Sequence, residues 1–218
     1  MITEAKVFPY GVTETSYLSS RDPRLGEVMG RLGHIDRALD TDLSSAVVHH
    51  IVSQQISNAA LATVWGRMQR LMDNTINAPH VIATGTLALQ ACGMSHRKAT
   101  YICDFAERVD NGSFDLKAVE RMDDAEAIAT LRSLRGIGTW TAEMILLFSL
   151  ARPNILAFDD LAIQRGMRMV YHHRAITPKI FEQHRRRLSP YGSTASIYFW
   201  AVSAGALPDL KDWAPQAH

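Results

Sequence analysis

The sequence predicts an all-α fold. Apolar residues recur at helical spacing along most of the chain. Clear alternation of apolar and polar residues bounded by hairpin turns, which is the pattern typical of β-strands, is missing. Hydrophobic residues make up 47% of the chain and charged residues 21%, an ordinary composition for a globular protein. We therefore expect residues 1–218 to form a single domain of two helical lobes with a cleft between them.

The first long helical pattern covers residues 42–72. Asp42 is a candidate N-cap, because an aspartate side chain accepts hydrogen bonds from the free N–H groups at the start of a helix. The apolar residues that follow are Val47, Ile51, Ile56, Leu61, Val64 and Met68.

A turn of glycines divides the next two helical patterns. Residues 124–134 read as a short helix that ends near Gly136, and the segment Gly136–Ile137–Gly138 follows. The helix after the turn carries one buried face, and the segment ARPN at 151–154 ends it. That face consists of Ala142, Ile145, Leu146 and Ser149. Three more helical patterns follow at 160–171, 178–188 and 193–204.

Composition limits the classes of function. The net charge of +1 argues against a protein that coats nucleic acid through bulk charge. Residues 161–190, however, hold seven lysines or arginines against one acid, Glu182. This segregation fits either a solvated helix face or a surface that contacts phosphate, and charge leaves both open. The basic residues are Arg165, Arg168, Arg174, Lys179, Arg185, Arg186 and Arg187.

The sequence also bears on compartment and thiol chemistry. No apolar run reaches the roughly 18 residues that a membrane span needs, and the N-terminus lacks a basic start followed by an apolar core. We expect a cytoplasmic protein. Cys92 and Cys103 are too few for a four-thiolate cluster, and we expect two buried or half-buried thiols.

The Gly136–Ile137–Gly138 turn is a candidate phosphate site. Two glycines permit a tight turn with unusual backbone angles, and Ile137 can anchor it in the core. The helix that follows directs its unpaired N–H groups outward, and such groups bind anions. A plain helix–turn–helix corner would show the same residues, and for a bare glycine pair that is the better interpretation.

The wider context resembles one family. The segment LRGIGTWTAEMIL resembles the hairpin of the helix-hairpin-helix DNA glycosylase superfamily (HhH-GPD). The segments HHIVSQQISNAA, ILAFDDLAIQRGM and SPYGSTASIYFW look like its minor-groove segment, its aspartate segment and its final helix, in the expected order. The best match is the 3-methyladenine DNA glycosylase II branch, in a short form without the N-terminal β-domain. Gly192 stands where that branch usually has an arginine.

The resemblance implies a catalytic carboxylate at Asp160. It would stabilise positive charge on the deoxyribose and orient or deprotonate a water as the N-glycosidic bond breaks. By itself, either aspartate of the pair could equally be a helix cap. Aligned to the superfamily, Asp160 takes the catalytic position, and we expect Asp159 to be the cap or a water-bound neighbour.

The resemblance also implies a monofunctional enzyme. Members that nick the strand place a lysine two residues after the second hairpin glycine, where this chain has Trp140. No lysine occurs between Lys117 and Lys179. The indole would stack on a flipped base and favour a cationic one. The expected base pocket consists of Trp140, Trp200, Met144 and Leu161.

The remaining implied roles concern DNA and a cation. Gln55 would fill the space left by the flipped base, with Gln54 beside it, and Gly136, Gly138 and Thr139 would contact the strand. No cofactor is expected to be required, although relatives bind a monovalent cation, Na⁺ or K⁺, through hairpin carbonyls. Here those carbonyls belong to Arg132, Leu134 and Ile137.

These inferences predict a monofunctional DNA glycosylase. It would excise alkylated purines, 3-methyladenine and 7-methylguanine, from damaged double-stranded DNA in base excision repair. We expect a monomer with no membrane partner, associated with the nucleoid if the source is bacterial. Two alternatives stay open: a glycosylase for another lesion such as hypoxanthine or ethenoadenine, and a non-catalytic protein that senses lesions.

Overall fold

The computed structural model describes residues 6–214, and those residues are helical. They contain no strand, and only an isolated bridge pairs Val7 with Ala38. The predicted all-α class is confirmed. The helices described are α1 Val12–Arg21, α2 Pro23–Leu32, α3 Leu43–Ser53, α4 Asn58–Leu71, α5 Ala78–Ala91, α6 His96–Asp110, α7 Leu116–Arg121, α8 Asp124–Leu131, α9 Thr139–Phe148, α10 Leu161–Tyr171, α11 Pro178–Leu188 and α12 Gly192–Ser203.

The helices fall into two compact units. The first unit joins the residues up to Leu39 with those from Ala151 onward, and so contains α1, α2 and α10 to α12. The second unit is Asp40–Leu150 and contains α3 to α9. The sequence-based assignment of a single domain with a cleft stays a prediction.

In the first unit, α10 and α12 pack with their backbones in close contact. A Cβ atom on Gly166 of α10 would lie 2.3 Å from the carbonyl oxygen of Phe199 on α12, so only glycine fits there. Phe199 itself is fully buried, as is its neighbour Tyr198. This close approach brings the start of α10 to the side chains of α12.

In the second unit, α8 and α9 form the glycine hairpin. Leu131, Leu134 and Ile137 are buried along it, so Ile137 anchors the turn as expected. The predicted face of α9 is confirmed, because its four residues, Ala142, Ile145, Leu146 and Ser149, are all buried. Helix α9 also packs against α3. The two predicted DNA-binding glutamines, Gln54 and Gln55, follow directly after α3.

Most predicted helix boundaries hold, but the single helix predicted at 42–72 and the predicted end of α8 do not. Asp42 is the N-cap of α3, and α10, α11 and α12 lie within two residues of their predicted bounds. The pattern at 42–72, however, is two helices. Gln54 ends the first, and Ser57 starts the second by accepting the Ala60 N–H at 3.2 Å. Ile51 before the break and Val64 and Met68 after it are buried, whereas Ile56, at the break itself, is 36% exposed.

Helix α8 also ends earlier than expected, at Leu131. Tight turns then continue to the hairpin, with the Leu134 N–H bonded to Leu131 and the Ile137 N–H bonded to Leu134.

Four helices that the apolar spacing did not predict, α2, α5, α6 and α7, begin at typical N-cap residues. Helix α2 starts at Asp22 with Pro23 in its first turn, and α5 starts at Asn77 in the same way. Ser95 and Asp115 cap α6 and α7. Capping residues were therefore the stronger signal where apolar periodicity was weak.

The two cysteines and the lengths of the helices agree with the sequence-based expectations. Cys92 is buried and Cys103 half-buried, as predicted. Within residues 6–214, no helix has the length and apolar character that crossing a membrane requires.

Candidate active site

The carboxylate of Asp160 is buried at the start of α10. Its Oδ1 accepts the backbone N–H groups of Ala162 and Ile163, both at 2.9 Å. Its Oδ2 accepts the indole N–H of Trp200 at 3.2 Å. Only 7% of the residue is exposed. These three donors, at the positive end of the helix dipole, offset the cost of burying the charge.

The structure corrects the division of roles between the two aspartates. Asp160 is itself the N-cap of α10, whereas Asp159 is exposed. The expectation that Asp159 caps the helix was therefore wrong. Helix α10 begins at Leu161, and only the side chain immediately before it can reach the second and third N–H groups.

Trp200 and Leu161 surround this carboxylate within the first unit. Trp200 lies on α12, with the guanidinium of Arg37 5.5 Å from its ring centroid. Leu161 follows Asp160 directly and is 79% exposed. A large apolar side chain this exposed, next to a buried carboxylate, is suited to contact a ligand.

The second unit contains a groove beside the hairpin, the hairpin groove. It brings together four of the predicted residues: both glutamines, one hairpin glycine and Trp140. The residues that line it are Gln54, Gln55, Arg97, Lys98, Tyr101, Gly136, Trp140 and Thr141. Trp140 is 40% exposed on the first turn of α9.

The two glutamines occupy the short loop that joins α3 to α4. The Gln54 side-chain amide donates to the carbonyl oxygen of Gly136 at 2.8 Å, which ties this loop to the hairpin. Gln55 is exposed and has φ 55°, in the left-handed region that non-glycine residues seldom adopt. The loop therefore presents Gln55 outward, as the predicted wedge role requires.

The two hairpin glycines differ. Gly136 has φ 86°, and a Cβ there would lie 2.5 Å from the Tyr101 ring. Gly138 has φ −90° as the N-cap of α9, and no described atom outside its chain neighbours lies within 4 Å of a Cβ built there. The expectation of unusual backbone angles is correct for Gly136 and wrong for Gly138. Gly138 and Thr139 begin α9, so the free N–H groups lie where the sequence predicted them.

The predicted cation ligands and Met144 lie in the same unit. Arg132 is the C-cap of α8. The Leu134 carbonyl accepts the Ile137 N–H at 3.2 Å, which leaves its second lone pair for another partner. Met144 is buried in α9, with 3% of its surface exposed.

Most of the basic residues at 161–190 are already paired with carboxylates. Asp212 binds Arg168 at 2.7 Å and lies 3.7 Å from Arg165. Glu182 binds Arg185 at 2.8 Å and Arg186 at 3.0 Å. Asp22 binds Arg187 at 3.0 Å. Charge segregation here mainly reflects ion pairs within the first unit.

Sequence reasoning missed four residues of the hairpin groove, of which Thr141 lies on α9 and the other three lie on one further helix. Arg97, Lys98 and Tyr101 all lie on α6, which was not predicted. The signal was present, because Ser95 is a good N-cap and is followed directly by His96, Arg97 and Lys98.

A glycine hairpin, a glutamine loop tied to it and a capped aspartate on a later helix define a class of base excision protein. Residues 48–190 match the model of the HhH-GPD superfamily of base excision DNA repair proteins, and the chain belongs to this superfamily.

Individual relatives agree with this assignment. DNA-3-methyladenine glycosylase 1 of Schizosaccharomyces pombe is 30% identical over 161 residues, which are 72% of this chain and 71% of that protein. A crystal structure of DNA-3-methyladenine glycosidase from Bacillus halodurans superposes with a TM-score of 0.84 at 26% identity, covering 95% of this chain and 97% of the other. The S. pombe 3-methyladenine DNA glycosylase, solved in complex with abasic DNA, has the same fold at 24% identity and a TM-score of 0.78, with 88% and 97% covered.

Proposed function

We propose that the protein is a DNA glycosylase that removes alkylated purines, 3-methyladenine and 7-methylguanine, from double-stranded DNA. The observation that carries the proposal is the Asp160 carboxylate, buried and fixed by two backbone N–H groups and the Trp200 indole. The names of its relatives support the same substrate class. We also propose that the protein works as a monomer in the cytoplasm, associated with the nucleoid if the source is bacterial.

The carboxylate is suited to stabilise the cation that forms on the sugar. As the N-glycosidic bond breaks, positive charge develops on the deoxyribose, and a rigid negative charge lowers the energy of that state. Oδ2 accepts the Trp200 indole N–H, and a carboxylate fixed in this way can orient or deprotonate a water. An alkylated purine already carries a positive charge and leaves without a strong general acid.

We further propose that the enzyme is monofunctional and of the glycosylase II type. A strand-nicking mechanism needs an amine that attacks C1′ and forms a Schiff base. The hairpin position for that amine holds Trp140, and residues 118–178 contain no lysine. The product would then be an intact strand with an abasic site.

The aromatic and apolar residues support a cationic substrate. The exposed Trp140 ring can stack on a flipped base, and cation–π attraction is worth roughly 0.5–2 kcal/mol. We propose that Trp200, Leu161 and Met144 complete the base pocket. Gln54, Gln55, Gly136, Gly138 and Thr139 would then bind the DNA.

A monovalent cation at the hairpin is part of the proposal. The carbonyl oxygens of Arg132, Leu134 and Ile137 would hold Na⁺ or K⁺, and the ion would draw a DNA phosphate toward the N–H groups of α9. The free lone pair of the Leu134 carbonyl supports this role. Replacing K⁺ by a large organic cation should then weaken DNA binding at constant ionic strength.

The test is excision from duplexes that each carry one modified base. Abasic sites should appear at 3-methyladenine and 7-methylguanine, with strand breaks only after alkali or heat, and borohydride should trap no covalent adduct. Excision confined to hypoxanthine or ethenoadenine would show that the substrate is one of these lesions and not a cationic alkylated purine. A gel shift without any abasic product would make the protein a lesion sensor, and a trapped adduct would refute the monofunctional assignment.

A further inference from the structure

We propose that Lys98 is a positioning residue that holds the backbone of the Gln54–Gln55 loop in the conformation from which Gln55 enters DNA. The inference rests on the proposed glycosylase function. Lys98 lies in the first turn of α6, and its Nζ lies 2.8 Å from the carbonyl oxygen of Val52 and 2.5 Å from that of Gln54.

Lys98 binds carbonyl groups at the C-terminal end of α3. Helix α3 ends at Ser53, and the last carbonyls of a helix lack partners within it. They also carry the negative end of the helix dipole, so an ammonium group is a favourable partner. Burial lowers the pKa of the Lys98 ammonium, and the two carbonyl oxygens compensate for the contact with water that it has lost.

Lys98 also restrains the backbone conformation of Gln55, because it binds the carbonyl that directly precedes this residue. The Gln54 carbonyl belongs to the peptide plane that joins Gln54 to Gln55. Holding that oxygen fixes the orientation of the plane, and this orientation restricts both ψ of Gln54 and φ of Gln55. That angle is 55°, which a non-glycine residue keeps only where its surroundings hold it. Lys98 is therefore bonded to the group that determines how Gln55 points.

Helix α6 supports the glutamine loop and the hairpin together. Tyr101 lies one turn after Lys98 and packs against Gly136. The Gln54 side chain donates to the carbonyl of that same glycine. Lys98 and Tyr101 thus fix both edges of the hairpin groove from one rigid helix.

The experiment compares Lys98→Met with Lys117→Met, the same change at the other lysine of the second unit. Lys117 is exposed on α7 and does not line the hairpin groove. The probe is a duplex with a tetrahydrofuran abasic analogue and a 2-aminopurine beside it, whose fluorescence rises on unstacking. We expect Lys98→Met to lower affinity about tenfold, as loss of a charge-assisted hydrogen bond would, and to reduce the fluorescence rise. Lys117→Met should change neither.

A double-mutant cycle separates positioning from general support. If Lys98 acts through Gln55, then Lys98→Met should cost little further in the Gln55→Ala background. Lys98→Arg should restore part of the fluorescence rise, because a guanidinium can donate to the same carbonyls. Equal losses in both backgrounds, with or without a lower melting temperature, would make Lys98 a packing or bulk-charge residue and overturn the proposal. Failure of the unmodified protein to excise any base or unstack the probe would instead overturn the proposed function.

Discussion

Asp160 combines two roles in one side chain. It caps α10 with Oδ1, and it presents Oδ2 beside the Trp200 indole. The sequence singled out this residue only through its resemblance to the aspartate segment of the superfamily, because either aspartate alone could equally be a helix cap. It could not assign the cap, since that depends on the single residue at which the helix begins. Asp159 lies one residue too far away.

Asp160→Asn should separate these roles. Asparagine caps helices as well as aspartate does, but its NH₂ cannot accept the Trp200 indole N–H, so the protein should still fold with a modestly lower melting temperature. The loss of the negative charge should slow excision by about 10²–10³-fold, the typical cost of losing one preorganised electrostatic group, while DNA binding persists. Single-turnover excision and a gel shift measure the two effects. Asp159→Asn is the control, and equal losses from both variants would show that the wrong aspartate was chosen.

Trp140→Ala tests whether the indole recognises charge. Only a cationic base loses the cation–π attraction, so excision of 7-methylguanine should fall more than excision of neutral hypoxanthine. The attraction of roughly 0.5–2 kcal/mol corresponds to about a 2- to 30-fold difference between the two losses. Competition between the two duplexes in one reaction gives the ratio directly. Equal losses on both bases would leave Trp140 a packing residue.

At the scale of elements, close contact between α10 and α12 determines where the Asp160 carboxylate lies. The sequence contains the responsible residue, Gly166, but gives no reason to single it out, because helix periodicity does not reveal which helix packs against it. The α3–α4 loop shows the opposite case. Its glutamines were identified by resemblance, whereas apolar spacing alone predicted continuous helix there.

Gly166→Ala should destabilise the protein strongly. The new Cβ would lie 2.3 Å from the Phe199 carbonyl oxygen, so the two helices must separate. Overpacking of this kind costs about 1–3 kcal/mol, and for a chain of this size the melting temperature should fall several degrees. Gly30→Ala in α2 is the matched control. No described atom beyond its own helix and chain neighbours lies within 4 Å of that Cβ, and alanine there should leave stability unchanged or raise it.

At the scale of the whole molecule, acid should destabilise the protein through two histidines, His184 and His50, since burial lowers the pKa of each to about 4. His184 stacks on Tyr171 at 3.9 Å between ring centroids and contacts Arg187, with Asp22 and His173 nearby. Burial, together with the charge of Arg187, lowers the pKa of His184 to about 4. The unfolded chain, with a histidine pKa near 6.5, then binds the proton more readily than the folded one.

Stability contributed by His184 should therefore be complete above about pH 6.5 and fall steadily as the pH drops toward 4. Melting temperatures at several pH values, with NMR titration of the imidazole, would measure it. A stability that stays constant across this window, or an imidazole that titrates near 6.5 in the folded protein, would contradict the prediction.

The discontinuous first unit has a consequence for synthesis on the ribosome. Helices α1 and α2 bury Leu18 and Leu25, and they bond to later residues through Tyr17 to the Ser189 carbonyl and Arg24 to the Tyr171 carbonyl. Those partners follow more than a hundred residues later, after the whole of Asp40–Leu150. At about 5–20 residues per second, the nascent N-terminal helices wait roughly 7–35 seconds for them. The second unit is contiguous and can fold during that delay, while the exposed leucines of α1 and α2 are available to chaperones.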